Sequence, residues 1–294
     1  MNDRDQQALH LCELGLQEMW QGQIEPALEQ YDRALALCES EETRELITIR
    51  KAEALICCER EGAEVSALPM IVMRRRSPRH VYLAANTLLR RYCETSDRNK
   101  AIFYGEIART AAAQLDDPFA RASVLNNLGI TLVADSKFAQ AIEVLEEGLE
   151  AMALLGDGRD DHRSLHYAIT GNLGGAKVLS GKFDEGVRLL EMAVGQLDDD
   201  YGVVEACLDL CFGYLELAKF DLAEFYGRAA LDSATVPRQV RNANHLMGEL
   251  CVRTERYDES DAFFDVVARF YPEFRNVKQL LMAVDLCSVV NWKA

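Results

Sequence analysis

The chain has 294 residues, more than the roughly 100–200 of a usual single-core domain, so it holds either two domains or an elongated fold whose core grows by addition. Its formal net charge of −16, from 32 Lys and Arg against 48 Asp and Glu, repels phosphate backbones and argues against nucleic-acid binding by the surface as a whole. Hydrophobic residues make up 49% and charged residues 27%, the balance of a folded globular protein, and no apolar run approaches the roughly 18 residues of a membrane span.

From the amino terminus, MNDRDQQ lacks a basic stretch with an apolar run behind it, so a soluble cytoplasmic protein without a membrane partner is expected. The next stretch, LCELGLQEMW, stacks Leu11, Leu14 and Glu18 with Gly15 on the packing side, which is helical periodicity. Helical spacing then recurs to the end, and no strand pattern is sustained. Ser77-Pro78 and Asp117-Pro118 read as a cap followed by proline at the first helical position, and Val236-Pro237 has the proline without a good cap. The six prolines fall near predicted turns. Gly22, Gly62 and Gly181 lie between paired helices, GDGRDD at 156–161 marks a longer loop, and 273–290 reads as a terminal capping helix within a 273–294 end segment.

The chain also repeats itself. NLGITLVADSKF at 127–138 returns as NLGGAKVLSGKF at 172–183, 45 residues on (172 − 127). Anchored on Ala27, Glu64, Ala101, Ala141, Gly186, Ala223 and Ser260, the spacings are 37, 37, 40, 45, 37 and 37 residues. Four residues after the anchors come Tyr31, Leu68, Gly105, Leu145, Leu190, Gly227 and Phe264, and twelve before come Gly15, Gly129, Gly174 and Gly248, with Leu89 and Cys211 as departures. Phe138, Phe183, Phe220 and Tyr257 precede their anchors by three. A small residue lets two antiparallel helices approach while large neighbours fill the grooves. One such hairpin cannot bury its apolar face alone, whereas stacked copies bury a continuous core.

The leucine–glycine pair, the turn aromatic and the Ala/large/Ala second helix resemble the tetratricopeptide repeat. Residues 122–153 and 167–198 carry the resemblance best, then 8–39, 241–272 and 205–235, with 45–75 and 82–113 matching on spacing alone. The long repeats are similar to those of bacterial peptide-sensing regulators and kinesin light chains. The resemblance implies an all-α, right-handed α-solenoid of about seven hairpins, a single superhelical domain over 1–294, and a non-enzymatic protein-interaction scaffold without a cofactor. The partner would be a protein or peptide segment, extended or helical, held in a concave groove. A second reading is a sensor that changes conformation around a short signalling peptide. The repeats begin by about residue 8, which leaves no room for the helical domain that precedes them in such regulators.

In that family the residue before the Leu-Gly pair faces the groove, which is Asn127 and Asn172 here, with Asn126 adjacent and Asn86 and Asn242 at neighbouring places. An asparagine carries two donors and an acceptor, so a spaced row suits an extended peptide backbone; the alternative is hydrogen bonding within their own helices. Apolar pockets are expected near Leu16, Met19, Ile130, Val133, Phe212 and Leu215. The Lys and Arg clamp of co-chaperone members is absent around Asn127 and Asn172.

Residues 71–110 carry a net charge of +6, with Arg74, Arg75, Arg76, Arg79, Arg90 and Arg91 at its centre. Such a patch suits an acidic partner or an anion, or else pairs with acidic neighbours inside the array. His162 and His166 stand four apart beside Asp160 and Asp161, the spacing of two metal ligands on one helical face, without a third ligand or a further signature; a metal-binding or enzymatic protein there is the third reading. TGNLGGAKVLSG has the wrong spacing for a phosphate loop, and Gly171 and Gly175 are left without a packing role. Nine cysteines with no CxxC read mostly as buried hydrophobes, with Cys57–Cys58 and Cys207–Cys211 as redox alternatives.

Overall fold

A computed structural model describes residues 2–58, 60–95, 97–155, 160–197, 199–286 and 291–293, and every regular element among them is an α-helix. Seven antiparallel pairs follow one another: α1 (Asp3–Trp20) with α2 (Ile24–Leu37), α3 (Glu41–Cys57) with α4 (Ala63–Arg74), and α5 (Pro78–Glu94) with α6 (Arg98–Ala112). Then come α7 (Pro118–Ala134) with α8 (Phe138–Ala153), α9 (Asp160–Leu179) with α10 (Phe183–Val194), α11 (Asp200–Glu216) with α12 (Phe220–Ser233), and α13 (Pro237–Arg253) with α14 (Tyr257–Ala268). A short α15 (Val277–Ala283) follows. The arrangement is an α-solenoid type of repeated hairpin. The sequence reading took the chain as one array, and its contacts group it into two compact units, Met1–Leu128 and Gly129–Ala294, with the boundary inside α7.

Five of the seven hairpins are closed by the same turn. Gly22, Ser136, Gly181, Ala218 and Glu255, each five residues before its anchor, adopt left-handed backbone with φ of +75°, +59°, +84°, +55° and +60°. The next amide then reaches back to the first helix: Gln23 to Glu18, Lys137 to Leu132, Lys182 to Lys177, Lys219 to Tyr214 and Arg256 to Cys251, at 2.7–2.9 Å between N and O. That six-to-one bond satisfies a helix-end carbonyl. Only two of the five residues are glycine, so the other three carry the strain of a Cβ in this region, about 1 kcal/mol each.

Within each hairpin one pair of residues, sixteen apart, sets how closely the helices pack. A Cβ on Gly15 would lie 2.9 Å from the Tyr31 ring, one on Gly129 2.6 Å from Leu145, and one on Gly174 2.8 Å from Leu190. Gly248 would collide with Phe264 in the same way. At Leu89 and Cys211 the glycine stands on the second helix instead: a Cβ on Gly105 would collide with Leu128 at 2.7 Å and touch Leu89 at 3.5 Å, and one on Gly227 would collide with Met247 and, at 3.0 Å, with Cys211. Ala52 and Leu68, both fully buried, complete the set.

In the first unit Tyr31, Ile47, Ile49, Leu68, Leu88 and Leu89 are fully buried. In the second, α9, α11 and α13 pack side by side, and Leu190, Leu208, Cys211, Leu215, Leu246 and Met247 share one core. Burying one such side chain contributes about 1.5–3 kcal/mol.

Several local expectations change. Pro69 sits inside α4 and not at a turn. Ser77 makes no side-chain cap, whereas Asp117 accepts from the Ala120 amide at 3.0 Å. The terminal helix is much shorter than 273–290, because Val284 is already extended and residues 291–293 return to the second unit's core. Among the described residues no helix is long and apolar enough to cross a membrane.

Replacing Leu145 by Gly is expected to cost about 2–5 kcal/mol, and Gly129→Leu to be at least as damaging. The double variant Gly129→Leu/Leu145→Gly copies the Leu89/Gly105 arrangement and should be more stable than either single change by at least about 1 kcal/mol. Thermal denaturation followed by circular dichroism measures this, and a double variant no better than the worse single would show the positions to be uncoupled. Ala218→Gly is expected to raise the melting temperature by relieving up to about 1 kcal/mol of backbone strain.

Candidate interaction site

Helix α11 contains the apolar run ACLDLCFGYL, 206–215, interrupted by one carboxylate. Asp209 is 3% exposed, so the run places an acid inside the core of the second unit. Room for it comes from α9: a Cβ on Gly175 would collide with Asp209 Oδ2. This supplies the packing role that the sequence alone left open for Gly175; at Gly171 a Cβ would only touch Ala193 at 3.6 Å. Glu205, four residues earlier, lies on the same helical face.

A cation from the end of the chain meets these acids. Lys293 Nζ lies 2.6 Å from Asp209 Oδ2 and 3.6 Å from Glu205 Oε2. Glu205 also accepts from Arg238 at 2.9 Å and from the Gln239 amide at 3.0 Å. Burial pushes the Asp209 carboxyl up to about 6 despite the Lys293 ammonium beside it. Burial would also raise Glu205, but Lys293 and Arg238 hold it below its ordinary value. Lys293 has the opposite balance: burial depresses it, and the two carboxylates outweigh that and raise it.

The residues before Lys293 anchor the same segment. The Lys293 amide donates to Asn291 Oδ1 at 3.1 Å, closing a short side-chain-to-backbone turn. Asn291 Nδ2 donates to the Val133 carbonyl at 2.8 Å, near the end of α7, and to Ser136 Oγ at 3.1 Å. The Arg241 guanidinium on α13 donates to the Trp292 carbonyl at 3.3 Å. The Trp292 ring, 5% exposed, meets Phe212 edge to face at 5.9 Å, and Phe212 meets Phe183 at 6.2 Å. Such aromatic contacts contribute about 0.5–1.5 kcal/mol beyond area burial.

The seat is not fully satisfied. Among the described residues Asp209 Oδ1, Asn242 Nδ2, His245 Nε2 and Trp292 Nε1 are buried and make no hydrogen bond. The Asn242 carbonyl oxygen is taken by Arg241 at 2.9 Å. Burial, helped by Arg241, holds the His245 imidazole down at about 4, so it is neutral. A cavity of about 860 Å³, lined by Arg241, Asn242, His245, Tyr271, Leu281 and Trp292, adjoins the tail.

The expected groove residues fall differently. Asn86, Asn126 and Asn127 belong to the first unit, and Asn172 and Asn242 to the second. Asn127 Nδ2 donates to Asn86 Oδ1 at 3.2 Å, so these two bind each other. Asn242 is buried beneath the tail segment. Of the apolar residues only Ile130 is exposed; Val133 and Phe212 are covered, and Leu215 is part of the core and not the wall of an open pocket.

Most of the basic patch pairs with acids of the α3–α4 hairpin. Arg76 lies 2.6 Å from Glu41, Arg74 3.4 Å from Glu45 and Arg90 3.2 Å from Glu53, and Arg91 pairs with Glu61. Arg75 and Arg79 stand exposed. His166 is exposed and packs edge-on to Tyr167. Among the described residues no group of three His, Cys, Asp or Glu side chains is placed to hold a metal, and the side chains of Asp160 and Asp161 lie outside that set. The eight described cysteines form no disulfide with one another, and Cys57 and Cys93 are exposed, contrary to a buried reading. Burial pushes the thiols of Cys207 and Cys211 up to about 11 and about 12, away from redox reactivity. Cys287 lies outside the described residues.

No protein-family model matches the chain, and no curated protein matches it in sequence. Solved structures do resemble it in fold. The apo form of RapI matches with a TM-score of 0.63 at 10% identity, covering 93% of this chain and 79% of that one. A Rap protein complexed with competence and sporulation factor matches at 0.58 and 15%, covering 94% and 76%. A tetratricopeptide repeat protein from Parabacteroides merdae matches at 0.54 and 12%, covering 95% and 98%. The chain therefore has the tetratricopeptide-type helical-repeat fold.

Asp209 takes up its proton near pH 6 when folded, against an ordinary value of 3.8, so stability falls as pH rises from 3.8 to about 6 and the full cost of its ionisation is present above that. Lys293→Met removes the compensating charge. At pH 8 this variant is expected to lose about 1–3 kcal/mol, and at pH 5, with Asp209 neutral, most of the deficit should vanish. Asp209→Asn/Lys293→Met should recover stability at pH 8. Thermal melts at the two pH values decide, and an equal deficit at both would rule out the charge as the cause.

Proposed function

We propose that the protein is an interaction module that grips a short polypeptide segment of a partner on the faces of α9, α11 and α13 in its second unit. The observation that carries this reading is the seating of Asn291–Lys293 there. A three-residue turn is held through a backbone carbonyl by Arg241, through an aromatic ring by Phe212, and through a cation by Asp209 and Glu205. These are the contacts by which one protein recognises a segment of another. The fold it shares with a Rap protein complexed with competence and sporulation factor supports the same reading. No step of covalent chemistry is invoked, and the buried thiols and neutral His245 serve as packing groups.

Panning a random peptide library against the full-length chain tests this. Enriched peptides are expected to bind, and their affinity should fall at least about tenfold in Glu205→Gln/Asp209→Asn, equivalent to about 1.4 kcal/mol. Failure to enrich any sequence from either chain would count against a peptide-binding role.

A further inference from the structure

Resting on that reading, we infer that the second unit recognises a partner segment with an aromatic residue followed directly by Lys or Arg, and that the chain's own Trp292-Lys293 occupies the seat until such a segment displaces it. The seat has two complementary halves. An aromatic ring lies on Phe212, and the next residue's cation reaches a pair of acids, one of them 3% exposed. Neither half is explained by the repeat. The hairpins pack through residues sixteen apart, and Asp209 takes no part in that contact, yet Gly175 is kept small to admit it.

The tail is an imperfect occupant. Four buried polar atoms of the seat make no hydrogen bond among the described residues: Asp209 Oδ1, Asn242 Nδ2, His245 Nε2 and Trp292 Nε1. Leaving such atoms unpaired costs about 1–3 kcal/mol each. The cavity of about 860 Å³ beside Trp292 is bounded by Val267, Tyr271, Leu280 and Leu281, so the tail also leaves apolar wall uncovered. A partner segment with an apolar residue near its aromatic–cation pair would cover that wall. One with an acceptor near Asn242 and a donor near Asp209 Oδ1 would pair what the tail does not. The tail persists because it is tethered: a linked segment competes at an effective concentration in the millimolar range. A free ligand then binds with an apparent affinity reduced by the fraction of chains whose seat is open.

Trp20 and Trp292 are the two tryptophans of the chain, so displacement can be read by emission in a Trp20→Phe background. The probe is the synthetic hexapeptide VVNFKA, which carries the tail sequence with phenylalanine for tryptophan. Its binding should shift Trp292 emission to longer wavelength, and VVNAKA and VVNFEA should not. In the full-length variant Trp292→Ala/Lys293→Glu, fluorescein-labelled VVNFKA should bind at least about tenfold more tightly than to the wild-type chain. Library peptides enriched on that variant should carry the aromatic–Lys/Arg pair and compete with VVNFKA. If library peptides bind but neither compete with VVNFKA nor move Trp292 emission, this inference fails while the peptide-binding function stands. If nothing binds to either chain, both fail. If the emission shift tracks protein concentration in place of peptide, the occupant is the tail of a second copy, and the displacement by a partner is overturned. Should the double variant not fold, the emission experiment on Trp20→Phe decides alone.

Discussion

Two helices of a hairpin approach closely only where one of them gives up its side chain. Residues sixteen apart in sequence lie equally far from the turn on opposite helices, so they meet face to face, and one of each pair is small. Glycine faces Tyr31, Leu145, Leu190 and Phe264, and in two hairpins the roles reverse, with Gly105 facing Leu89 and Gly227 facing Cys211. Dense cores tolerate neither a gap nor an extra methylene at such a contact. The constraint fixes the distance between helices and leaves their sequence otherwise free, which is how repeats with little in common share one geometry.

A frame fixed in this way leaves the outward faces of the first helices available for chemistry. In the second unit that freedom is used to bury charge. Asp209 interrupts an apolar helix face, and Gly175 on the neighbouring helix makes way for it. Burying a carboxylate is costly unless it is paired, and burial drives Asp209 to about 6 even with Lys293 at 2.6 Å. The seat lies on α11, whose neighbours α9 and α13 exclude water from both sides, which strengthens each polar contact made there.

The basic patch of the first unit follows the opposite logic. Arg90 and Arg91 reach acids of the preceding hairpin, Arg76 reaches Glu41 on α3, and Arg74 pairs with Glu45 inside its own hairpin, so the charge that stands out in a linear reading is largely spent on ion pairs within the first unit. Exposed pairs of this kind contribute about 0–1 kcal/mol each and fix register more than they add stability.

How much of this could be read from the chain depends on the range of the interaction. Helices, hairpin turns and the repeat period come from contacts within about forty residues, so NLGITLVADSKF and NLGGAKVLSGKF sufficed to give the α-solenoid class and the size pattern at Gly15, Gly129, Gly174 and Gly248. Even the departures at Leu89 and Cys211 carried their answer in Gly105 and Gly227, sixteen residues on, a signal that was present and not used. The seat is different. A lone Asp209 in an apolar run and an unexplained Gly175 hinted at a buried charge, but nothing local indicated that its partner stood 84 residues away at Lys293, or that Asn291 would reach Val133 across 158. Sequence by itself determined the helices, their pairing and the small-against-large contacts, because each is set by neighbours along the chain. Only the tertiary structure decided that Asn291–Lys293 lie on α11 and α13 and that Asn127 pairs with Asn86, because those contacts join residues far apart along the chain.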